Sequence, residues 1–480
     1  MKDSNYISRK IRFENYYLLF AIFALCSIVF VFPIENLDEL WNYNFARCIA
    51  DGMTPYKDFS MLQTPLAAYL AATFLKIFGG GIFSFRLAAF ILLSGTQIAY
   101  YFLCLKITKS KAIAFTLTSL IFALILLCFY YNYNNLSLWF VLLILLLKNS
   151  KSVSLKNNII EGFLFGLLPL IKQSTGLILL SVFLMECFYK IFVSKKTITI
   201  NVVSALISLI PGIIFVVSLF LTDNFKWFYE YAVLGVSTFT HRMNIFEFLF
   251  SDPLSFVFGI GTVIIVCYVI FVIVKTKTFF KKRTVCFIIS LVWLFSVTYP
   301  IFDVAHYIVG VIPLIAIFFL FFDFKHIKKS DRVILYVLSC LILISSCVCV
   351  IPIGNEYKVS DLKNYEGTPI NVEVEANIKT VNSYIMDMNN EGKEVVIADA
   401  TSAIYSIPSD NYKKHWDMLL VGNIGMNTVA DLLNEKPEAV ILVLNDGMTL
   451  NKQSHFELIQ HIKKNYKKID EVLYFDVYTK

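Results

Sequence analysis

Charge is scarce in this chain of 480 residues, and that scarcity excludes an ordinary soluble protein. Asp, Glu, Lys and Arg together make up 16% of the residues, whereas typical soluble domains contain about 25%. Hydrophobic residues make up 58%, and the polar residues fall in short clusters between apolar runs. Most of the chain is therefore predicted to lie in a lipid bilayer.

Cysteine and histidine patterns that would indicate a metal or a disulfide framework are also missing. No HExxH or paired CxxC spacing occurs, so a structural zinc site is not predicted. All but one of the ten cysteines lie in or beside apolar runs, and none follows Ile353. Buried apolar cysteines, rather than structural disulfides, are the expectation.

The apolar runs have the length of membrane-spanning helices, which need about 20 residues to cross the hydrocarbon core. They are continuous rather than alternating, which indicates helices. Examples are Tyr16–Pro33, Ile82–Leu105, Ala112–Phe129, Thr197–Leu221 and Val333–Ile353. About eleven spans are predicted. Two of them, Leu136–Leu147 and Ile159–Ile171, are short and must use their polar flanks or a thinned bilayer.

The distribution of basic residues predicts the orientation. Most lysines and arginines between spans fall in alternate connectors, and the other connectors hold only Arg47, Lys57, Lys172, Lys226 and Arg242. By the positive-inside rule the N-terminus is cytoplasmic, and the first long loop is outside. The net charge of +7 thus reflects membrane topology, and no nucleic-acid partner is predicted.

Whether the segment Pro65–Phe78 crosses the membrane decides on which side every later connector lies. It is apolar but too short to cross, so it is predicted to lie flat at the outer interface. Thr64 would cap this helix, Pro65 would take its first position, and Gly79–Gly81 would end it. This places the C-terminal part outside the membrane, in a multi-pass plasma-membrane protein.

From Gly354 onward the sequence alternates between strand and helix patterns, which predicts a small α/β domain. The domain boundaries are therefore 1–353 for the membrane part and 354–480 for the soluble part. The predicted elements are helix Asn371–Asn390, strand Glu394–Ala400, helix Thr428–Asn434, strand Ala439–Asn445, helix Ser454–Lys467 and strand Glu471–Tyr478. The string Gly422–Gly425 lacks the third glycine of a dinucleotide-binding loop, so no nucleotide site is predicted there.

The first external loop, Asn36–Arg86, carries the most informative pattern. Asn36 can cap a helix whose apolar residues recur at helical spacing, and Gly52 can end that helix. The loop is therefore predicted to hold two interfacial helices, at about 36–51 and 65–78. A segment containing Asp58 joins them.

The loop resembles the first external loop of integral-membrane glycosyltransferases of the GT-C fold. The likeness consists of Asp38-Glu39 just beyond the first span, the string Asp-Gly-x-x-Pro-Tyr-x-Asp-Phe over Asp51–Phe59, then Pro65-Leu66 and Arg86. It points to the bacterial branch related to protein O-mannosyltransferases and lipid A aminoarabinose transferases. The predicted fold is thus an all-α polytopic GT-C-like membrane domain with a small C-terminal extracytoplasmic α/β domain.

The resemblance implies transfer of a hexose or pentose from a polyprenyl-phosphate carrier to an acceptor hydroxyl at the outer membrane face. The acceptor would be a cell-envelope glycan, lipid or protein. The hydroxyl needs a base to remove its proton, and the departing phosphate needs cations to stabilise its growing charge. With one activating carboxylate and no second nucleophile, inversion at the anomeric carbon is expected.

Three acidic residues of the loop are candidates. Asp38 matches the catalytic carboxylate of the family and is predicted as the base; the alternative is an acid favoured by the helix dipole. Glu39 is predicted to bind substrate, but it also occupies the capping-box position after Asn36. Asp58 is predicted to bind substrate. A divalent metal held by Asp38 or Asp58 is left open, and no other cofactor is predicted.

Cations and a histidine at the outer ends of spans complete the predicted site. Arg86 and Lys172 are predicted to hold the donor phosphate, with snorkelling to the interface as the alternative. Lys172 begins the string Lys172-Gln173-Ser174-Thr175-Gly176, which is common in the family. Asp303 and His306 are predicted to contact substrate, with a capped helix start as the alternative. His241 with Arg242, and the aromatic turn Tyr131–Asn134, are further candidates.

Two other functions fit the same composition. A flippase or transporter of lipid-linked saccharides predicts charges buried at mid-span and two similar halves, whereas no half-repeat is evident. A noncatalytic envelope-assembly protein would leave Asp38 and Lys172 in unrelated places.

Overall fold

The structure is a computed structural model of the chain, and its described residues fall into two compact units. It describes residues 21–59, 61–149, 154–193, 197–235, 245–279, 281–299, 302–322, 329–352, 354, 356–398, 401–409, 438–444 and 460–480. The first unit comprises the described parts of 1–32, 86–210 and 243–351. The second comprises those of 33–85, 211–242 and 352–480.

Helices make up most of the described chain. In chain order they are α1 (Leu37–Ala50), α2 (Leu66–Phe78), α3 (Ile82–Thr108), α4 (Lys111–Leu126), α5 (Tyr133–Lys148), α6 (Leu155–Ile171), α7 (Gln173–Val193), α8 (Ile198–Leu221), α9 (Phe225–Phe228), α10 (Ile245–Leu249), α11 (Pro253–Thr276), α12 (Lys282–Val297), α13 (Val304–Phe318), α14 (Lys329–Val350), α15 (Val372–Asn390) and α16 (Ser402–Ser406). A 3₁₀ turn at Ser27–Val31 precedes them, a π turn at Tyr229–Leu234 follows α9, and a second 3₁₀ turn at Phe319–Phe321 follows α13.

Six of the described helices are long and apolar enough to cross a membrane. They correspond to Ile82–Thr108, Gln173–Val193, Ile198–Leu221, Ser255–Thr276, Val304–Phe321 and Ser330–Val350. A multi-span helical membrane fold is thus confirmed, whereas the count of eleven spans stays a prediction.

The two short predicted spans extend into their polar flanks. α5 begins at Tyr133, because the Asn132 side chain accepts a hydrogen bond from the Asn135 N–H at 2.7 Å. α6 begins at Leu155, after Ser154 caps it. Side-chain caps satisfy the N–H groups that a helix start leaves without partners. The apolar runs therefore understate the helices by about one turn.

In the first unit, neighbouring helices pack in pairs. α4 packs against α14, α6 against α7, and α12 against α13. Phe165 of α6 stacks on Phe183 of α7 with ring centroids 4.5 Å apart. Trp293 of α12 is fully buried and donates its indole N–H to the Val309 carbonyl of α13. Aromatic contacts of this kind hold together helices whose ends carry Lys172 and Asp303.

The second unit contains the two helices that were predicted in the first external loop. The Asn36 side chain accepts a hydrogen bond from the Glu39 N–H at 3.1 Å and so starts α1, as predicted. Gly52, with φ of 92°, follows the end of α1 in a conformation that only glycine adopts readily. α2 begins one residue later than predicted, because Pro65 takes the N-cap position and its carbonyl accepts the Tyr69 N–H.

The C-terminal part of the second unit holds two small sheets. The strands are β1 (Tyr357–Val359), β2 (Pro369–Asn371), β3 (Val395–Ile397), β4 (Val440–Leu444), β5 (Lys467–Val472) and β6 (Phe475–Thr479). β1 and β2 pair antiparallel. The larger sheet has the order β3-β4-β6-β5, with only the β3–β4 pair parallel.

The predicted last strand, Glu471–Tyr478, is wrong: the chain forms a hairpin of β5 and β6 instead. Leu473, with φ of 54°, lies in the tight turn between them. β5 is an almost wholly exposed edge strand, so its sequence lacks the apolar pattern of a buried strand. β5 begins at Lys467, so the predicted helix Ser454–Lys467 ends earlier than predicted. Of that segment, only residues 460–465 are described as helical.

The other predicted elements of this domain agree with the described chain. α15 begins after Asn371, whose side chain accepts from the Glu373 and Val374 N–H groups. Its apolar face packs on β3, β4 and β6 around Val381, Ile385 and Phe475. The predicted helix Thr428–Asn434 and the string Gly422–Gly425 lie outside the described residues.

Backbone hydrogen bonds join the segment 33–85 to the C-terminal domain inside the second unit. The Ile34 N–H donates to the Pro369 carbonyl at 3.0 Å, and the Ile82 N–H donates to the Asn364 carbonyl at 2.8 Å. Arg47 of α1 donates from Nη1 to the Ile407 carbonyl at 3.2 Å. Because they are in contact, the two parts must lie on the same side of the bilayer.

Candidate active site

Lys172 occupies a one-residue break between α6 and α7. Its backbone is extended, with φ of −143° and ψ of 109°, although its N–H still donates to the Leu168 carbonyl. Its own carbonyl accepts the Gly176 N–H at 2.8 Å, in the first turn of α7. The break turns the chain sharply, so that Lys172 projects from the connection rather than from either helix.

The ammonium group of Lys172 is buried among uncharged oxygen atoms. Nζ donates to Asn134 Oδ1 at 3.0 Å and to the Val297 carbonyl at 2.9 Å. It also lies 5.6 Å from the centre of the Tyr133 ring, within the range of a cation–π contact. The residue is only 7% exposed, which excludes snorkelling into bulk water as its main role.

Burial lowers the pKa of Lys172 to about 7, and the negative charge of Asp303 acts in the opposite direction. Removing an ammonium from water disfavours its charged form. An anion that binds beside Nζ would restore the favourable charge interaction. The residue is thus suited to hold an anionic group, as predicted for the donor phosphate, although that role stays a prediction.

Gly176 allows the close approach of α7 to the end of α6. A Cβ atom at this position would lie 2.1 Å from Pro169 N and 2.2 Å from Leu168 C. Both are backbone atoms, which cannot move aside as the end of a flexible side chain does. The Lys172–Gly176 string therefore needs glycine at its last position for packing, and this packing fixes Lys172.

Gly176→Ala is expected to destabilise the protein by about 1–3 kcal/mol, the usual cost of overpacking a tight contact. Thermal unfolding of the purified full-length protein in detergent measures the loss. Gly261→Ala is the matched control, because Gly261 lies in α11 and a Cβ atom there would meet nothing within 4 Å. Equal stability of the two variants would contradict the proposed role of Gly176.

Asp303 and His306 form a pair at the start of α13. Asp303 Oδ1 accepts the His306 N–H at 2.8 Å, and His306 Nδ1 lies 2.9 Å from both carboxylate oxygens. Burial would raise the pKa of Asp303, but the hydrogen bonds and charge of His306 lower it overall. The helix cap predicted as the alternative is therefore present. Asp303 also acts electrostatically on Lys172.

Arg86 is fully buried in α3, and it donates from Nη1 to the Phe32 carbonyl at 2.5 Å. This bond ties α3 to the end of the first apolar segment. A structural role is thus present, and a contact between Arg86 and the donor phosphate stays a prediction.

Asp38 and Glu39 lie in the first turn of α1 and differ in exposure. The Asp38 side chain is exposed, whereas Glu39 is only 4% exposed. Asn36 accepts the Glu39 N–H, so the cap of α1 does not depend on the Asp38 carboxylate. Exposure leaves Asp38 accessible to a bound acceptor, as a base must be.

Asp58 closes a turn in the segment between α1 and α2. Its Oδ2 accepts the Thr54 N–H at 2.7 Å, and its own N–H donates to the Thr54 carbonyl at 2.9 Å. Next to this turn lies an open groove of about 330 Å³ between the end of α1 and α2, lined by Ile49, Gly52, Met53, Thr54, Tyr69, Ala72, Thr73 and Lys76. Asp58 thus holds in place Thr54, which lines a groove in the second unit.

The predicted site residues fall in both units. Arg86, Lys172, Asp303 and His306 belong to the first, and Asp38, Glu39 and Asp58 to the second. Within the first unit, the negative charge of Asp303 acts on Lys172, and Asp303 forms a pair with His306. His241 and Arg242 lie outside the described residues.

Within the described residues, no group of three or more His, Cys, Asp or Glu side chains is arranged to hold a metal ion. Asp58 already accepts a backbone hydrogen bond. A divalent ion at Asp38 or Asp58 therefore stays a prediction.

Sequence reasoning missed the residues that surround Lys172. The sequence indicates the turn Tyr131–Asn134 only as a further candidate without a partner, whereas Asn134 and Tyr133 contact the Lys172 ammonium. An asparagine in the first turn of an apolar helix needs a hydrogen-bond partner if the fold buries it. Nothing in the sequence says which partner.

The described chain combines six helices long enough to cross a membrane, two short helices within the segment 33–85, and a C-terminal α/β domain, and ArnT shares this fold. ArnT from Cupriavidus metallidurans in the apo state aligns over 98% of both chains, with a TM-score of 0.60 and 10% sequence identity. ArnT from the same organism bound to undecaprenyl phosphate aligns over 96% of both chains, with a TM-score of 0.54 and 11% identity.

An archaeal oligosaccharyltransferase from Archaeoglobus fulgidus, in complex with zinc and sulfate, aligns over 89% of this chain and 67% of its own, with a TM-score of 0.47 and 14% identity. No family model and no curated protein matches the sequence. The ArnT alignments confirm the fold that the first loop predicted, and at these identities the likeness is one of fold.

Proposed function

We propose that this protein is a membrane glycosyltransferase that moves one sugar from a polyprenyl-phosphate carrier to a hydroxyl group of a cell-envelope acceptor. The fold it shares with ArnT supports this, and one ArnT structure holds undecaprenyl phosphate. The acceptor is a glycan, lipid or protein at the outer membrane face.

The observation that carries the proposal is the environment of Lys172. An ammonium has three N–H donors, and two of them meet Asn134 and Val297. Among the described residues no carboxylate lies within ion-pair distance of Nζ, so its charge is not neutralised by direct contact. Phosphate supplies the missing charge and further acceptor oxygens.

The proposed reaction requires a base and a cation. The acceptor oxygen forms a bond to the anomeric carbon as the bond between that carbon and the phosphate oxygen breaks. Asp38 takes the hydroxyl proton, and the electron pair leaves with the polyprenyl phosphate. Lys172, aided by Arg86, stabilises that charge. A single displacement inverts the anomeric carbon.

The sidedness of the proposal is supported inside the second unit. The first external loop, which carries Asp38 and Asp58, is bonded to the C-terminal domain at Ile34–Pro369 and Ile82–Asn364. A folded domain in contact with the loop lies on the same face as the loop. The groove beside Asp58 and Lys76 is proposed to hold part of the acceptor.

Lys172→Met is expected to weaken binding of undecaprenyl phosphate by a factor of about 10 to 100, because a hydrogen bond to a charged group contributes about 1.5–3 kcal/mol. Titration of the full-length protein in nanodiscs measures the dissociation constant. Lys275→Met is the matched control: Lys275 lies 5.7 Å from the Phe271 ring centre, but it is exposed. Unchanged affinity of the Lys172 variant would remove this residue from the site.

Transfer is distinguished from lipid flipping by the products. The protein is reconstituted in vesicles with polyprenyl-phosphate-linked sugars and an envelope extract. A transferase releases free polyprenyl phosphate and yields a heavier acceptor by mass spectrometry. Movement of intact donor across the bilayer without release of polyprenyl phosphate would contradict the proposal.

A further inference from the structure

Asn134 is the side chain that directs the Lys172 ammonium. Asn134 lies in the first turn of α5 and Lys172 in the break between α6 and α7, yet Oδ1 of Asn134 is 3.0 Å from Lys172 Nζ. Both are buried, at 5% and 7% exposure. The second acceptor, the Val297 carbonyl, belongs to the last turn of α12.

We propose that Asn134 is a positioning residue that holds Lys172 for the donor phosphate while leaving its positive charge to be neutralised by that phosphate. This rests on the proposed function, because it assumes that Lys172 binds the donor. It gives Asn134, which the sequence indicates only as part of a candidate turn, a specific role and a reason for being an amide.

The reason lies in the difference between an amide and a carboxylate. Both present an oxygen that accepts a hydrogen bond from an ammonium. A buried carboxylate would also neutralise the charge and form an ion pair, so an arriving phosphate would have to compete with it. The amide fixes the direction of Nζ and retains the net charge.

The other groups around Lys172 are consistent with this arrangement. From α5 it meets Asn134 and the Tyr133 ring, and from α12 the Val297 carbonyl. The start of α13 contributes the charge of Asp303, whose two oxygens both contact His306. The acid whose charge acts on Lys172 is therefore paired with another residue.

This geometry makes donor binding depend on pH in a defined direction. Burial lowers the pKa of Lys172 to about 7, so the ammonium is present below that pH and is lost above it. Affinity for an anion is then highest below pH 7 and falls as the pH rises through it. A phosphodiester keeps one negative charge over this range, so a change in affinity with pH arises from titration of the protein and not of the ligand. The thiol of Cys128, which precedes α5 and on which the charge of Asp303 also acts, keeps its proton over the same range, because burial raises its pKa to about 12.

The test uses a farnesyl methyl phosphodiester as the probe and the full-length protein in nanodiscs. Asn134→Asp has nearly the same shape, but it is expected to weaken binding at pH 6 at least tenfold and to move the midpoint of the pH profile upward. Asn134→Leu removes the acceptor and is expected to move the midpoint downward. Shifts in opposite directions are not expected from a purely structural residue.

Asn135→Leu is the control, since Asn135 is a buried amide of the same turn that donates to Tyr130 instead. It is expected to keep the wild-type midpoint, and thermal unfolding verifies that each variant folds. If Lys172→Met loses affinity while both Asn134 variants keep the wild-type profile, Asn134 has no positioning role. If Lys172→Met binds the probe as the wild type does, the proposed phosphate site itself is wrong.

Discussion

Asp38→Asn is expected to lower the turnover number by a factor of about 10² to 10⁴, the usual contribution of a general base. The amide has nearly the same size but cannot accept the hydroxyl proton. Because Asn36 already accepts the Glu39 N–H, the cap of α1 does not require the Asp38 carboxylate. The measurement is release of polyprenyl phosphate by the purified protein, with the sugar donor that the wild type uses.

The loss is expected in kcat rather than in KM, since a base acts in the transition state and not in donor binding. Asp51→Asn is the matched control. Asp51 follows the other end of α1, is 45% exposed and lies 3.8 Å from Arg47. Full turnover in the Asp38 variant would exclude this residue as the base, and equal losses in both variants would indicate a general effect on α1.

Local signals were sufficient to predict where several of the helices begin or end. A capping side chain, the helical spacing of apolar residues and a terminating glycine all act within a few residues. Asn36 and Gly52 delimit α1, and Asn371 starts α15, as their sequence positions predict. The resemblance of the first loop to GT-C enzymes added the fold, which the ArnT alignments confirm.

Tertiary contacts were not predictable from those signals. Asn134 and Lys172 are 38 positions apart, and Val297 is 125 positions from Lys172. Apolar periodicity does not indicate which helices become neighbours, so the acceptors of the Lys172 ammonium appear only in the folded chain. The exposed edge strand β5 was missed for a related reason, since an edge strand takes its place from pairing rather than from apolar residues.

A second buried cluster shows the same limit. In the sequence, Lys148 is only one of several basic residues that lie in connectors predicted to be cytoplasmic. In the structure its Nζ lies 2.5 Å from Glu161 Oε1 and 2.6 Å from Glu186 Oε2. It thus links the end of α5 to α6 and α7. The three side chains are 4%, 11% and 11% exposed, and Lys190 adds a more exposed contact to Glu186 at 2.6 Å.

Lys148→Met is expected to destabilise the protein by about 3–5 kcal/mol, because removing one partner of a buried ion pair leaves charge without compensation. Here two carboxylates would remain close together in a site shielded from water. Thermal and denaturant unfolding of the full-length protein in detergent would show the loss. Adding Glu161→Gln and Glu186→Gln to the Lys148 variant is expected to recover much of it, since neutral amides carry no charge to desolvate.

Lys190→Met separates burial from simple charge loss. Lys190 contacts the same Glu186, but its side chain is 44% exposed, and an exposed ion pair contributes about 0–1 kcal/mol. A small effect at Lys190 and a large one at Lys148 would show that shielding from water, rather than the number of ion pairs, makes the cluster important. Equal effects would contradict that explanation. The cluster would then be an ordinary surface network, and α5, α6 and α7 would depend on apolar packing alone to fix the break that carries Lys172.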